Sequence, residues 1–323
     1  MKHKYAWLTS KRNTVIGPST TQLFRNLSLS LLPYIKSHGP SAEIICSVVD
    51  HEANIASWVF LASTLGLQVK WWYPTDSSTN PHLTPESLRA LLTENTCLVT
   101  CTHTSNILGT ITDVKAIADT VHQMPNAMLC VDGVAFAPHR LLDMKALDVD
   151  FYSFSLYKVY GPHIAQLYAS RRAQDLGMTS LGHYFKAGHT LEEKLGLAAA
   201  SYELVQAIPR VAKYVEKVGW EGIVKHEVDL QETLLEYLRN KKGVVILGEP
   251  GSEAEKRVPV ISFTVKGRSA QSVVEHVEKK DGNFGKSPAL HHSWNHSQCN
   301  TRYVLQLTHI KVSAGAISTQ RGW

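Results

Sequence analysis

One lysine in this chain sits where an amine could do covalent work. In Phe151-Tyr152-Ser153-Phe154-Ser155-Leu156-Tyr157-Lys158-Val159-Tyr160-Gly161-Pro162, Lys158 falls just past an apolar run, among hydroxyl side chains and ahead of a Gly-Pro turn. Aromatic neighbours desolvate an amine and disfavour its charged form. A neutral amine can attack an aldehyde and form a Schiff base. Ser155 and Tyr157 could offer hydroxyls to a phosphate. The same segment also suits an ordinary surface lysine after a strand.

Four further segments carry matching chemistry. Leu129-Cys130-Val131-Asp132-Gly133 puts a carboxylate at the C-terminal end of an apolar run, the place where ligands bind in open α/β sheets. A carboxylate there can pair with a protonated ring nitrogen and strengthen the ring as an electron sink; Asp132 could equally start a turn before Gly133. In Val49-Asp50-His51-Glu52-Ala53-Asn54, His51 could stack on a flat ring and move protons. The plainer reading is a helix start capped by Asp50. Gly17-Pro18-Ser19-Thr20-Thr21-Gln22 precedes an amphipathic stretch; its hydroxyls and free N–H groups suit a phosphate, or simple capping. Asn106, in Thr102-His103-Thr104-Ser105-Asn106-Ile107-Leu108-Gly109, could hydrogen-bond a ring oxygen or a substrate carboxylate, or belong to a polar turn.

Positioning these groups requires strands that end in them. Short apolar runs at Ile44–Val49, Val69–Tyr73, Cys97–Cys101, Met128–Val131, Phe151–Ser155 and Ile164–Ala169 predict strands. Amphipathic stretches at Thr20–Ser37, Ala53–Leu65, Pro85–Leu92 and Val114–Gln123 predict helices, with Thr84 as a cap before Pro85. This alternation implies a mostly parallel sheet with helices on both faces. Beyond about residue 175 the pattern changes. Leu191–Ala207, Pro209–Asn240 and Ser269–Lys279 read as helices, and Val244–Leu247 and Val258–Val265 as strands. The expected division is therefore 1–175 for the large domain, 176–280 for remaining helices and a smaller α+β domain, and 281–323 for a divergent tail.

Composition removes other classes. The chain has 323 residues, 44% hydrophobic and 19% charged, enough for a large domain and a smaller one. A net charge of +5 is spread thinly, and Lys2–Lys4, Arg171–Arg172 and Lys241–Lys242 are too short for a nucleic-acid patch. Five scattered cysteines without a CxxC pair fit a reducing compartment. No apolar run approaches the length of a membrane span, and the first residues lack a signal core. A cytoplasmic location is the expectation. No Gly-x-Gly-x-x-Gly turn follows a strand, which argues against a nucleotide-binding dehydrogenase.

Taken in order, the motifs resemble the class V aminotransferase family of fold-type I pyridoxal-phosphate (PLP) enzymes, in its cysteine desulfurase-like subgroup. Asp50-His51-Glu52-Ala53-Asn54 is similar to the family's acid-His-x-Ala/Ser-Asn motif, and Thr102 to Gly109 to its Thr-His-x-Ser-Asn-x-x-Gly motif. Val131-Asp132-Gly133 and Phe154-Ser155-x-x-Lys158-x-x-Gly161-Pro162 resemble its aspartate strand and its Schiff-base lysine motif. The likeness runs from about Val15 to Tyr168, and more loosely to about Lys279. It implies PLP on Lys158, with Asp132 at the ring nitrogen and His51 stacked on the ring. Thr20, Thr21, Ser155 and Tyr157 would lie at the phosphate, and Asn106 near the ring oxygen or the substrate. It further implies an amino-acid or amine substrate, a homodimer and no metal.

The departures are equally specific. Ala135 stands where the family usually has Gln, and Tyr157 where it has His. Glu192–Leu197 lacks the Gly-Thr motif, and the C-terminal arginine has no clear counterpart. Cys299 is the one cysteine in the region where desulfurases carry their nucleophile, in a sequence unlike theirs. Sixteen residues precede Gly17, fewer than the family carries, so the entrance segment is expected to be incomplete; the divergence after about Asp281, where the small domain should finish, implies the same of that domain. These departures leave a second reading: a degenerate homologue that binds a partner without catalysis.

Overall fold

The computed structural model describes residues 12–75, 79–182, 188, 190–196, 200–281 and 303–306. Seven strands form the main sheet, and their order in the chain alternates with helices. The first half runs β1 (Thr14–Gly17), α1 (Thr20–Ser37), β2 (Glu43–Ser47), α2 (Glu52–Leu65), β3 (Val69–Trp72), α3 (Pro85–Arg89) and β4 (Thr96–Thr102). It continues with α4 (Val114–Val121), β5 (Met128–Asp132), α5 (Met144–Leu147), β6 (Phe151–Ser155) and β7 (Ala165–Ala169). In space the order is β1-β7-β6-β5-β4-β2-β3, and β7 alone runs against the others.

Both faces of this sheet are covered, which is why its strands read as apolar runs and not as alternating ones. Ile44, Cys46, Met128, Cys130 and Phe151 face Leu23, Leu27 and Leu31 of α1 and Trp58 and Leu61 of α2. Ile45, Val99, Leu129, Val131 and Tyr152 face Leu88 of α3 and Val114, Ile117 and Val121 of α4. Neighbouring residues on one strand thus point to opposite cores, the period-two rule of a pleated strand. α1 occupies the residues its amphipathic pattern predicts. β1 escaped that pattern: four residues are too few to show a period, and it is held as an edge strand against β7.

After β7 come α6 (Arg171–Leu176), α7 (Leu191–Leu195), α8 (Tyr202–Val205), α9 (Ile208–Val218) and α10 (Trp220–Arg239). The stretch read as one helix over Pro209–Asn240 is two, broken at Gly219, whose φ of 79° no continuing helix can adopt. Likewise Leu191–Ala207 contains two short helices. β8 (Val244–Leu247), β9 (Val260–Val265), α11 (Ala270–Asp281) and β10 (Tyr303–Gln306) complete the described chain, with an antiparallel sheet in the order β10-β9-β8. β10 lies within the stretch read as a tail without periodicity; it pairs with β9 along Tyr303 to Gln306. Leu235 and Leu238 of α10 pack on Ile261 and Phe263 of β9.

Candidate functional site

The parallel register brings the sequence-predicted residues to one edge. Thr102 of β4 pairs with Asp132 of β5, which pairs with Ser153 of β6. Ser155 pairs with Ala165, which pairs with Gly17 at the end of β1. The C-terminal ends of β1, β2, β4, β5 and β6 therefore share that edge. β2 is followed by a helix leading to β3 on one side, while β4 leads to β5 on the other. This divergence makes the switch-point crevice where open sheets bind ligands. His51 follows β2 and Asn106 follows β4, so they flank it.

Lys158 closes a 3-10 turn over Leu156–Lys158, directly after β6. It is half-buried, and burial pulls its pKa below the ordinary lysine value, with Asp132 opposing. Asp132 is 4% exposed. Burial pushes its carboxyl up to about 6, against the Val134 N–H it accepts at 2.9 Å and the charge of Lys158. The two groups thus share one electrostatic environment. The turn that Asp132 opens depends on Gly133: a Cβ there would lie 2.0–2.4 Å from the Tyr152 ring. The aspartate is both the end of a strand and the start of a turn, so the turn reading of its sequence holds and its carboxylate still faces a strand-end edge.

The N-terminus of α1 supplies a second cluster. Ser19 caps it, its hydroxyl accepting the Gln22 N–H at 3.1 Å. Thr20 is buried, and its Oγ1 lies 2.8 Å from Ser155 Oγ. That contact joins the first turn of α1 to the end of β6 across 135 residues of chain. Thr21 is exposed on the same turn. Tyr157 is 41% exposed and its ring lies parallel to that of His163, with centroids 5.2 Å apart. It stands outside the buried Thr20–Ser155 pair. Asn106 is half-buried in the turn after β4.

His51 is the N-cap of α2; its Nδ1 accepts the Ala53 N–H at 3.1 Å. That bond fixes the tautomer, leaving the proton on Nε2. The expected cap, Asp50, does something else. Its carboxylate accepts Asn54 Nδ2 at 2.6 Å, the Ser47 hydroxyl and the Thr102 N–H. Burial and the charge of Asp132 push Asp50 up to about 7. His103 was also missed. It is 4% exposed, stacked 3.6 Å from the Phe136 ring, and its Nδ1 lies 2.9 Å from the Tyr152 hydroxyl. Burial lowers it to about 3, so it is neutral and fixes the Tyr152 hydroxyl, whose ring packs against Gly133. Its position inside the Thr-His motif was the available signal.

Ala135, where the family usually has Gln, is buried and brings no hydrogen bond to the site. Cys46, Cys97, Cys101 and Cys130 are buried and reduced, and burial raises each thiol. None is a ready nucleophile. Cys299 lies outside the described residues. Among the described residues no group of three or more His, Cys, Asp or Glu could hold a metal. No helix there is long and apolar enough to cross a membrane. A cavity of about 560 Å³, with Thr112, Lys115, Phe136, Arg140 and Glu255 in its wall, touches His103 but neither Lys158 nor Asp132.

Comparison with known proteins follows the same residues. The model of the family described as aminotransferase class-V matches residues 9–283. An aminotransferase-like protein of Gibberella zeae is 54% identical over 267 residues, 82% of this chain and 65% of that protein. A cysteine desulfurase-like protein of Aspergillus flavus is 47% identical over 270 residues, 82% of this chain and 61% of that protein. The chain thus spans less than two thirds of the length of these relatives. The cysteine desulfurase CsdA of Escherichia coli shares the fold, with a TM-score of 0.72 over 86% of this chain and 70% of that one, at 22% identity. A lysine and an aspartate at neighbouring strand ends, a hydroxyl cluster at a helix start and a match over most of the sequence agree: the chain belongs to the class V aminotransferase family.

Proposed function

We propose that this chain is a PLP-dependent enzyme acting on an amino acid or related amine through Lys158, of the cysteine desulfurase-like kind. The observation that carries this reading is the pairing of a half-buried, pKa-depressed lysine with a buried carboxylate at one strand-end crevice. The donor set fits PLP. Asp132 accepts the Val134 N–H on Oδ1, which leaves carboxylate lone pairs for a ring N–H. The Thr20–Ser155 hydroxyl pair at the start of α1 suits a phosphate, since a helix N-terminus favours an anion there.

When bound, PLP supplies an electron sink that labilises bonds at the α-carbon of an amino acid. The chain does the rest. Lys158 Nζ, whose charged form burial disfavours, would be the attachment point and can take and return the α-proton. Asp132 would hold a proton at the ring nitrogen. His51, oriented by its bond to Ala53, presents its ring and its Nε2 proton. Thr20 and Ser155 would hold the phosphate, with Thr21 and Tyr157 as further hydroxyls for it. Asn106 would hydrogen-bond the ring oxygen or the substrate carboxylate. C–S lysis, transamination, elimination and racemisation all use these groups; the orientation of the labile bond selects among them. A homodimer in the cytoplasm belongs to the same proposal, on the resemblance and on the reduced, buried cysteines.

The test is an absorbance spectrum of the purified protein with added PLP, before and after borohydride, followed by peptide mapping. A visible band and reduced label on Lys158 are expected, both lost in Lys158→Ala. A folded wild-type protein without the band refutes the enzyme reading and transfers the weight to a non-catalytic homologue.

A further inference from the structure

The site encloses a second carboxyl group, Asp50, that its assigned residues do not explain. Asp50 is pinned from three directions: the Ser47 hydroxyl at the end of β2, Asn54 Nδ2 on α2, and the Thr102 N–H at the end of β4. Asn54 is itself fixed, accepting Trp58 Nε1 at 3.1 Å. None of the three donors is a cation. Thr102 of β4 is the register partner of Asp132, and β4 lies between β2 and β5, so Asp50 and Asp132 stand on either side of the end of β4 and Asp50 senses the charge of Asp132. Among the described residues the thiols of Cys46, Cys101 and Cys130 also sense Asp50, and all three are buried and uncharged. Lys158 faces Asp132 and is weakened as a cation by burial.

Two enclosed carboxylates facing one weakened cation are unfavourable unless a further positive charge completes them. We propose that Asp50 is a positioning residue that acts through Asp132, making a two-carboxylate seat whose joint charge keeps the proton on the ring nitrogen of PLP. This rests on the cofactor reading above. Only Asp132 touches the nitrogen; Asp50 adds a second negative charge behind it and ties that charge to β2, α2 and β4. The alternative is a structural staple, in which Asp50 merely joins the end of β2 to α2.

The two roles predict opposite signs. If Asp50 belongs to an unfavourable charge pair, Asp50→Asn relieves repulsion in the cofactor-free protein and removes a favourable contact in the loaded one. At pH 8 the cofactor-free variant should melt about 2–4 °C above wild type. With PLP bound that gain should vanish or reverse. Nitrogen NMR of ring-labelled PLP on Lys158 should show the variant releasing the ring proton about one pH unit lower, a tenfold weaker hold. Equal destabilisation with and without PLP, or an unchanged ring titration, overturns the proposal and leaves the staple. If Asp50→Asn does not fold, Ser47→Ala removes one donor and keeps the carboxylate. It should move the ring titration in the same direction by a smaller step, and no movement refutes the seat. A wild-type protein that never takes PLP on Lys158 fails the cofactor reading instead, an outcome read before either variant is compared.

Discussion

At the scale of single residues, Asp132 illustrates how a buried carboxyl weakens the fold that carries it. Its carboxyl is pushed up to about 6 in the folded chain, from an ordinary value of 3.8. The folded state therefore binds this proton more tightly than the unfolded one. The contribution is fully present below about pH 4. It is lost as pH rises towards and through 6. Asn at this position does not titrate. Cofactor-free Asp132→Asn should therefore exceed wild type in stability at pH 8 by up to about 3 kcal/mol, with the difference closing towards pH 4. Urea melts at the two pH values measure it, and a variant weaker than wild type at pH 8 contradicts it. The same variant should lose the protonated ring signal of bound PLP. Lys158, Asp132 and Ser155 could be singled out in the sequence because each lies at or just past the end of an apolar strand run, and Thr20 because it opens an amphipathic helix; their contact across the chain could not. Asp50 was not. Asp50 and His51 can both cap α2, and only the tertiary donors Ser47 and Thr102 decide that His51 takes the Ala53 N–H.

At the scale of elements, the site depends on turns with no room to spare. Gly133 donates its N–H to Ser153 O at 2.8 Å, and its own carbonyl accepts the N–H groups of Phe136 and Ala137. The Tyr152 ring fills the space a side chain would need, and its hydroxyl meets His103. Gly133→Ala must displace that ring or the backbone, at a cost of about 2–3 kcal/mol, the range for overpacking a tight interior. Asp132 and His103 would shift together. A lowered melting temperature with at least tenfold weaker PLP retention is expected; retention equal to wild type would show that the turn has slack. The element pattern read well wherever a segment was long. α1 shows its full amphipathic face, and the six apolar runs became six strands. Short or interrupted segments read poorly. β1 is too brief to show a period, and Gly219 breaks a helix whose apolar positions continue almost in phase across it.

At the scale of the whole molecule, the sequence showed a change of pattern near residue 175 but not how the later part grips the earlier one. The structure places that grip at the turn following Asp132. His139 Nδ1 lies 2.7 Å from Glu227 Oε1 of α10, and Arg140 Nη1 donates to Glu227 Oε2 at 2.9 Å. Arg140 also donates to the carbonyls of Ala254 and Arg257, ahead of β9. These pairs are nearly buried, so solvent screens them little. Glu227→Ala leaves His139 without its carboxylate and removes one of the anchors of Arg140. A hydrogen bond to a charged group contributes about 1.5–3 kcal/mol, and the loss should fall on the later part of the chain. Hydrogen exchange should speed up in α10 and in β8 and β9, while β2, β4 and β5 keep their protection and Lys158 still takes PLP. The main sheet owns every strand end of the site, so loosening α10 should spare attachment. Equal acceleration in β4 and β5, or loss of the Lys158 label, would instead mean that the two parts open as one unit and that the cofactor site is stable only while α10 is docked.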